Sequence, residues 1–405
     1  MQATGVIVEY NPFHNGHLYH LNEAKRKTNA DVVIAVMSGN FLQRGEPAIV
    51  SKWTRTHMAL AAGIDIVIEL PYTFAVQKAE TFAFGAVFLL ESMKCTRFCF
   101  GSESGTIDHF VHTVQMFKNH KNQIDAIIKQ EMKKGVSYPT AVSRAFQSLN
   151  IRDGIDLSQP NNILGFHYVK AVDDIQASIV PYTIERKSAH YHDERFSSDT
   201  IASATSIRKA FFETKDWNQI ASYVPVTTLA ALQNYYQEIG QLHHWESYWP
   251  FLQYRLITSS IEQLREIYEV QEGIEYRLKE MAPSSVSFHD FMEKMKTKRY
   301  TWTRLQRMCV HILMNIRKED MWKSMKAPSY IRLLGMSENG RNYLSQIKKD
   351  LSLPLISKVG ANVQELLAFD LLATRTYGIG VKKTEKRRDL MNMDFTCPPV
   401  YFKKS

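Results

Sequence analysis

Long apolar runs are missing from this chain of 405 residues. No stretch approaches the roughly 20 residues needed to cross a bilayer, so no membrane partner is expected. The amino terminus, Met1-Gln2-Ala3-Thr4-Gly5-Val6-Ile7-Val8, carries neither the basic flank nor the small-residue cleavage site of a secretion signal. Cysteine is scarce: Cys95, Cys99, Cys309 and Cys397 are scattered, which excludes a disulfide framework and fits a reducing, cytoplasmic setting. Cys95 and Cys99 have no second pair nearby to complete a zinc set, and two structural thiols are the simpler reading. Internal repeats and low-complexity tracts are absent as well. What remains is an ordinary globular composition, 44% hydrophobic and 22% charged, with a length that argues for two domains.

The charge is moderately basic, +9 overall, and unevenly spread. Residues 293–405 hold about 23 Lys/Arg against about 10 Asp/Glu, so the remainder is slightly acidic. A basic carboxy-terminal region suits a polyanionic partner, although a solvated basic face has the same composition.

The first two hundred residues alternate short unbroken apolar runs with amphipathic stretches. Runs at 5–10, 31–37, 64–71, 97–101 and 178–182 read as buried strands. Stretches at 17–27, 51–62 and 77–93 read as helices between them. Strands without polar alternation, each followed by a helix, predict a parallel sheet covered on both faces. After Ser203 strand signals become rare, and helical spacing dominates at 205–214, 245–257, 261–281, 287–295, 301–315 and 361–377. The expected fold class is α/β: a Rossmann-like parallel-sheet domain over residues 1–210, followed by a mainly α-helical, basic domain over 211–405.

The strongest chemical signal is the join of the first strand to the first helix, Asn11-Pro12-Phe13-His14-Asn15-Gly16-His17. Ligands of open parallel sheets bind beyond the carboxyl ends of the strands. A helix amino terminus there offers backbone N–H groups and a favourable dipole to a phosphate. Two imidazoles add donors, and Gly16 lets the backbone approach the ligand. No adjacent carboxylate or cysteine turns this pair into a metal centre, and none is expected.

His14-Asn15-Gly16-His17 resembles the His-x-Gly-His signature of a nucleotidyltransferase superfamily that shares it with class I aminoacyl-tRNA synthetases. Ala202-Ser203-Ala204-Thr205-Ser206-Ile207-Arg208 resembles that superfamily's second, Ser-rich motif, with Ala202 and Ala204 departing from the pattern. Hydroxyls such as that of Ser206, with Arg208, suit a phosphate clamp, and Ser203 equally suits a helix cap. No convincing Lys-Met-Ser-Lys-Ser block is present, which weakens a synthetase reading. A closer resemblance is to the bacterial tRNA(Met) cytidine acetate ligase family. It rests on the blocks at 8–17, 37–48, 159–165, 204–208 and 299–307.

That resemblance implies activation of acetate with ATP to acetyl-adenylate, and the chemistry of a triphosphate leads us to expect Mg2+ on it. The acetyl group then passes to N4 of the wobble cytidine of elongator tRNA(Met). It further implies His14, His17 and Arg208 as catalytic groups. ATP contacts are implied for Ile7, Val8, Glu9, Tyr10, Asn11, Pro12, Phe13, His14, Asn15, Gly16, His17, Leu18, Tyr19 and His20. Gly101, Asn162, Arg186, Lys187 and Ser206 complete the implied ATP set. Gln43, Arg44, Lys52 and Arg55 follow the second strand and are candidates to face acetate or tRNA. Arg299, Tyr300, Trp302, Arg304 and Arg307 mix guanidinium groups with aromatics, as RNA contacts require, and residues 382–388 form a basic run. Two rival readings stand beside the ligase: a small-molecule adenylyltransferase of cofactor biosynthesis, and a non-catalytic tRNA-binding protein.

Overall fold

The structure, a computed structural model, describes residues 1–148, 154–186 and 200–403. Five parallel strands form its centre: β1 (Ala3–Val8), β2 (Val32–Ser38), β3 (Ile66–Leu70), β4 (Arg97–Ser102) and β5 (Val180–Glu185), in the order β5-β4-β1-β2-β3. Each coincides with one of the five apolar runs. The pleat explains why these runs do not alternate with polar residues. In β2, Val33, Ala35 and Met37 point into one hydrophobic cluster while Val32, Ile34 and Val36 point into another. Helices cover both faces, so a Rossmann-like α/β fold is observed.

Three further strands come from the carboxy-terminal half, where strand signals are weak. β6 (Ile331–Ser337) lies antiparallel to β3, and β7 (Leu355–Ile356) and β8 (Val400–Phe402) run parallel to β6. The apolar run Ile331-Arg332-Leu333-Leu334-Gly335 is short and sits between helical stretches, which hides it. Gly335 is needed for the approach of the helix Lys52–Ala61: a Cβ there would lie 2.7 Å from Thr56 Cγ2 and 2.9 Å from Leu60 Cδ1.

Helical spacing at 261–281 predicts one helix, but two form, Ile261–Glu266 and Ile274–Met281. Glu269, Glu272 and Gly273 between them take left-handed φ values of 63°, 65° and 83°. The break turns two carboxylates toward the basic block: Glu269 meets Arg307 at 3.1 Å, and Glu272 meets Arg299 at 3.1 Å. One hydrophobic cluster runs from the sheet (Val6, Val33, Val67) into the helical half (Leu252, Phe291, Met308) without interruption. No helix among the described residues is long and apolar enough to cross a membrane.

Candidate active site

The order of strands reverses between β1 and β4, and a cavity of about 250 Å³ opens at their carboxyl ends. β1 ends in a turn that the surrounding structure pins. Tyr10 holds a left-handed φ of 51° with its ring buried, a conformation that costs a bulky residue about 1–3 kcal/mol and persists only when over-determined. Asn11 supplies that constraint: its Oδ1 accepts from Ile49 N at 2.7 Å, and its carbonyl accepts from Arg208 Nη1 at 2.9 Å. The Asn11–Pro12 peptide bond is cis.

The helix α1 (Asn15–Thr28) then starts with a reciprocal cap made of two imidazoles. His14 Nδ1 accepts from Gly16 N at 3.1 Å, and His17 Nδ1 accepts from the backbone N–H of His14 at 3.3 Å. The rings stack with centroids 3.7 Å apart. Because both Nδ1 atoms accept, each neutral ring carries its proton on Nε2, so two N–H donors remain beyond the cap. Burial, with Arg186 and Arg208 nearby, pushes the His14 pKa down to about 3; burial and the neighbouring His14 lower His17 well below its ordinary value. Both rings are therefore neutral donors at physiological pH. Gly16 is required by this packing, since a Cβ would lie 2.9 Å from His14 Cε1.

On the β4–β5 side the cavity is lined by Phe100, Gly101, Ile184, Glu185, Arg186 and His20. Burial pushes the His20 pKa down to about 4. His20 Nε2 and, at the turn, Asn11 Nδ2 are buried without a hydrogen-bond partner among the described residues. Both residues line the cavity, and buried polar atoms are normally hydrogen-bonded. The helix Ala204–Thr214 begins at the same cavity, capped by Ser203, which accepts from Ser206 N at 3.0 Å. Arg208 reaches back over the turn and pairs with Glu46 at 2.7 Å.

Of the residues implied by sequence, Ile7, Val8, Glu9, Tyr10, Asn11, His14, Gly16, His17, Tyr19, His20, Gly101, Arg186 and Arg208 line this cavity. Pro12, Phe13, Asn15, Leu18, Asn162 and Ser206 do not. Phe13 is a core ring against Tyr10. Asn15 ties the turn to the helical half by donating to Thr200 O and Ser222 O, each at 2.9 Å. Asn162 Oδ1 accepts from Glu103 N and Ser104 N at 3.1 Å, fixing the loop after β4, while its neighbour Asn161 faces the cavity. Ser206 Oγ donates to Ser203 O at 2.9 Å inside the cap. Lys187 lies outside the described residues.

Gln43 and Arg44 also line the cavity, but Lys52 and Arg55 do not face a substrate. Both are fully buried. Lys52 Nζ lies 2.8 Å from both oxygens of Glu69 and 2.9 Å from Asp394; burial alone would neutralise it, and the two carboxylates keep it charged. Arg55 donates to the carbonyls of Glu9 at 2.7 Å, Ser38 at 3.0 Å and Gly39, closing the exposed ends of β1 and β2. Arg307 is likewise buried, and Arg304 stacks 4.6 Å over the Tyr300 ring; Arg299 keeps a half-exposed side chain. Cys95 and Cys99 are buried thiols whose pKa burial pushes up. The wall formed by Phe82, Phe100, Leu164 and Tyr168 escaped the sequence reading because no spacing marks residues brought together from two helices and a strand.

Residues 1–392 match the family described as HIGH Nucleotidyl Transferase. A tRNA(Met) cytidine acetate ligase of Geobacillus is 56% identical over 360 residues, 89% of each chain. One from Bacillus licheniformis is 49% identical over 407 residues, covering 99% of this chain and 98% of its own. The chain belongs to the tRNA(Met) cytidine acetate ligase family. Among solved members, Thermotoga maritima TmcAL in its apo form superposes over 100% of both chains with a TM-score of 0.92 at 33% identity. The same protein bound with alpha-thio ATP superposes with a TM-score of 0.90. That family membership accounts for the placement of both its sequence motifs at one cavity.

Proposed function

We infer that this protein is an ATP-dependent RNA-modifying ligase that joins acetate to N4 of the wobble cytidine of elongator tRNA(Met), giving N4-acetylcytidine. The observation that carries this reading is the double imidazole cap at the end of β1. Two neutral Nε2–H donors and a helix amino terminus converge there, and Arg208 stands above them.

ATP lies with its phosphates over this cap and its nucleoside toward Gly101, Ile184 and Arg186. Acetate attacks the α-phosphorus; a carboxylate O–P bond forms, pyrophosphate leaves, and acetyl-adenylate remains. Charge accumulates on the pentavalent phosphorus and on departing pyrophosphate, where fixed donors act without reorganisation. Arg208 leaves Glu46 for a phosphate oxygen. Asn11 Nδ2 and His20 Nε2, without a partner among the described residues, gain one. Mg2+ would arrive with the triphosphate, held by its phosphate oxygens, and would neutralise part of their charge. The exocyclic amine of the cytidine then displaces AMP from the acetyl carbon.

Residues 1–210 supply the nucleotide site, and the basic region within 211–405 supplies the RNA surface, with Arg299 exposed at its edge. The test is incubation with ATP, labelled acetate and bulk tRNA. Label enters tRNA only with ATP present, and His17→Ala lowers the rate by about 100- to 1,000-fold, the usual effect of removing one such donor. Label entering tRNA without ATP, or an undiminished His17→Ala variant, overturns the reading.

A further inference from the structure

Transfer of the acetyl group needs a proton acceptor. When N4 attacks the acetyl carbon, the new C–N bond leaves the nitrogen positively charged, and the proton must depart before the tetrahedral adduct expels AMP. AMP leaves as a phosphate anion and needs no proton. The base must therefore sit at the cavity, on the side that faces the incoming nucleobase, with a free lone pair.

The imidazoles of the cap are unsuited. Nδ1 of His14 and of His17 already accepts a backbone N–H, and the other nitrogen of each ring is a donor. His20 lies on the β4–β5 side, its Cδ2 3.8 Å from where a Gly101 Cβ would stand. Among the described residues three carboxylates line the cavity: Glu9, Glu46 and Glu185. Glu46 pairs with Arg208 at 2.7 Å, a pair that re-forms once pyrophosphate has left and so holds Glu46 during transfer, and Glu185 is exposed at the end of β5. Glu9 follows the last residue of β1, and its Oε1 accepts from Gln43 N at 2.7 Å. Gln43 belongs to the loop after β2 and donates to Gln77 O at 2.7 Å. The carboxylate is thus held on the β2 side of the turn, opposite the β4–β5 wall, and no hydrogen bond engages Oε2 among the described residues.

We propose that Glu9 is the general base of the transfer step, taking the proton from the cytidine N4 amine as that nitrogen bonds to the acetyl carbon. This rests on the ligase reading above. The C–N bond forms, the carbonyl π pair moves to oxygen and returns, the acetyl C–O bond to AMP breaks, and the proton passes to Glu9 Oε2 and then to water. Burial raises the Glu9 carboxyl above its ordinary pKa, which makes it a stronger base than an exposed carboxylate.

The test bypasses adenylate formation. Synthetic acetyl-adenylate and tRNA(Met) are mixed with the full-length enzyme, and single-turnover acetylation is followed from pH 4.5 to 9. For the wild type the rate rises with pH through the ionisation of Glu9 and then levels. Glu9→Gln keeps the acceptor for Gln43 N–H and lowers transfer by about 100-fold or more, within the usual range for a general base; the acid limb disappears. Glu9→Asp retains a carboxylate and recovers at least about tenfold of that loss. Transfer by Glu9→Gln within threefold of the wild type, a retained acid limb, or Glu9→Asp no better than Glu9→Gln overturns the proposal. A wild type that releases pyrophosphate with ATP and acetate but transfers nothing from acetyl-adenylate overturns the ligase reading itself, and the proposal with it.

Discussion

Gly16 and His14 compete for the same space at the start of α1. The ideal Cβ of an alanine at position 16 would sit 2.9 Å from His14 Cε1 and 3.0 Å from its Nδ1, so the ring must move and the cap must open. Gly16→Ala is expected to lower tRNA acetylation by about 100-fold, the scale on which small misplacements act. The fold should survive with a stability change of about 1 kcal/mol. Thermal unfolding alongside the acetylation assay separates the two effects. The same imidazoles link stability to acidity. Burial pushes His14, His243 and His311 down to about 3, and His20 and His167 to about 4, from an ordinary 6.5. Across that interval the unfolded chain binds more protons than the native one, so stability rises with pH and is lost as pH falls from 6.5 toward about 4. The buried carboxyls Glu9, Glu69 and Asp370 are shifted upward and oppose this trend, but with His17 the imidazoles outnumber them two to one. Urea midpoints at pH 7 and pH 5 test the sign: a midpoint no lower at pH 5 would refute it.

Between elements, the buried charges act as cross-links. Lys52 on the helix Lys52–Ala61 joins Glu69 of β3 to Asp394 of the helix Thr384–Thr396, and Arg332 of β6 lies 3.6 Å from Asp394. Removing the central cation leaves two carboxylates facing each other without water. Lys52→Met is therefore expected to cost about 3–5 kcal/mol, the usual penalty for orphaning a buried charge. Calorimetric unfolding measures it, and a loss below about 1 kcal/mol would show that the network is dispensable. The loop after β2 is tied to the helical half by an equally close contact. Gly45 takes φ 76°, and a Cβ there would lie 2.3 Å from Arg307 N on the helix Trp302–Leu313. Trp245 Nε1 donates to Gly45 O at 2.9 Å. This packing sets the height of Gln43, Arg44 and Glu46 at the cavity, so the helical half shapes the nucleotide site as well as extending it.

At the level of the whole molecule, the carboxy-terminal third completes the sheet that the amino-terminal third begins. β6 pairs with β3 through Ile66↔Met336, Val67↔Gly335 and Ile68↔Leu333. Ending the chain at residue 325 would expose the edge of β3, strip Ile331, Leu333 and Leu334 from the core, and leave Lys52 and Glu69 without Asp394. A 1–325 fragment is therefore expected to be unfolded or aggregated and unable to bind ATP. A soluble fragment with a cooperative thermal transition would contradict that. The five parallel strands were legible because each depends on neighbours in sequence. The role of residues 331–337 was not, because a short apolar run becomes a strand only when β3 offers it an open edge.

The sequence by itself determined the β1–turn–α1 motif, the parallel strands and about half of the described helices. Pro12, Gly16, His14 and His17 act on one another across a few positions, and apolar spacing selects strand or helix locally. Tertiary structure alone decided what the charges do. Lys52 and Arg55 read as anion-facing residues, yet one neutralises a carboxylate 342 positions away and the other collects strand-end carbonyls. Arg307 reads as an RNA contact and instead closes on Glu269. The physical reason is that a cation is recruited by whichever anion or carbonyl the folded chain brings within about 3 Å, and partners so distant in sequence leave no mark on local pattern.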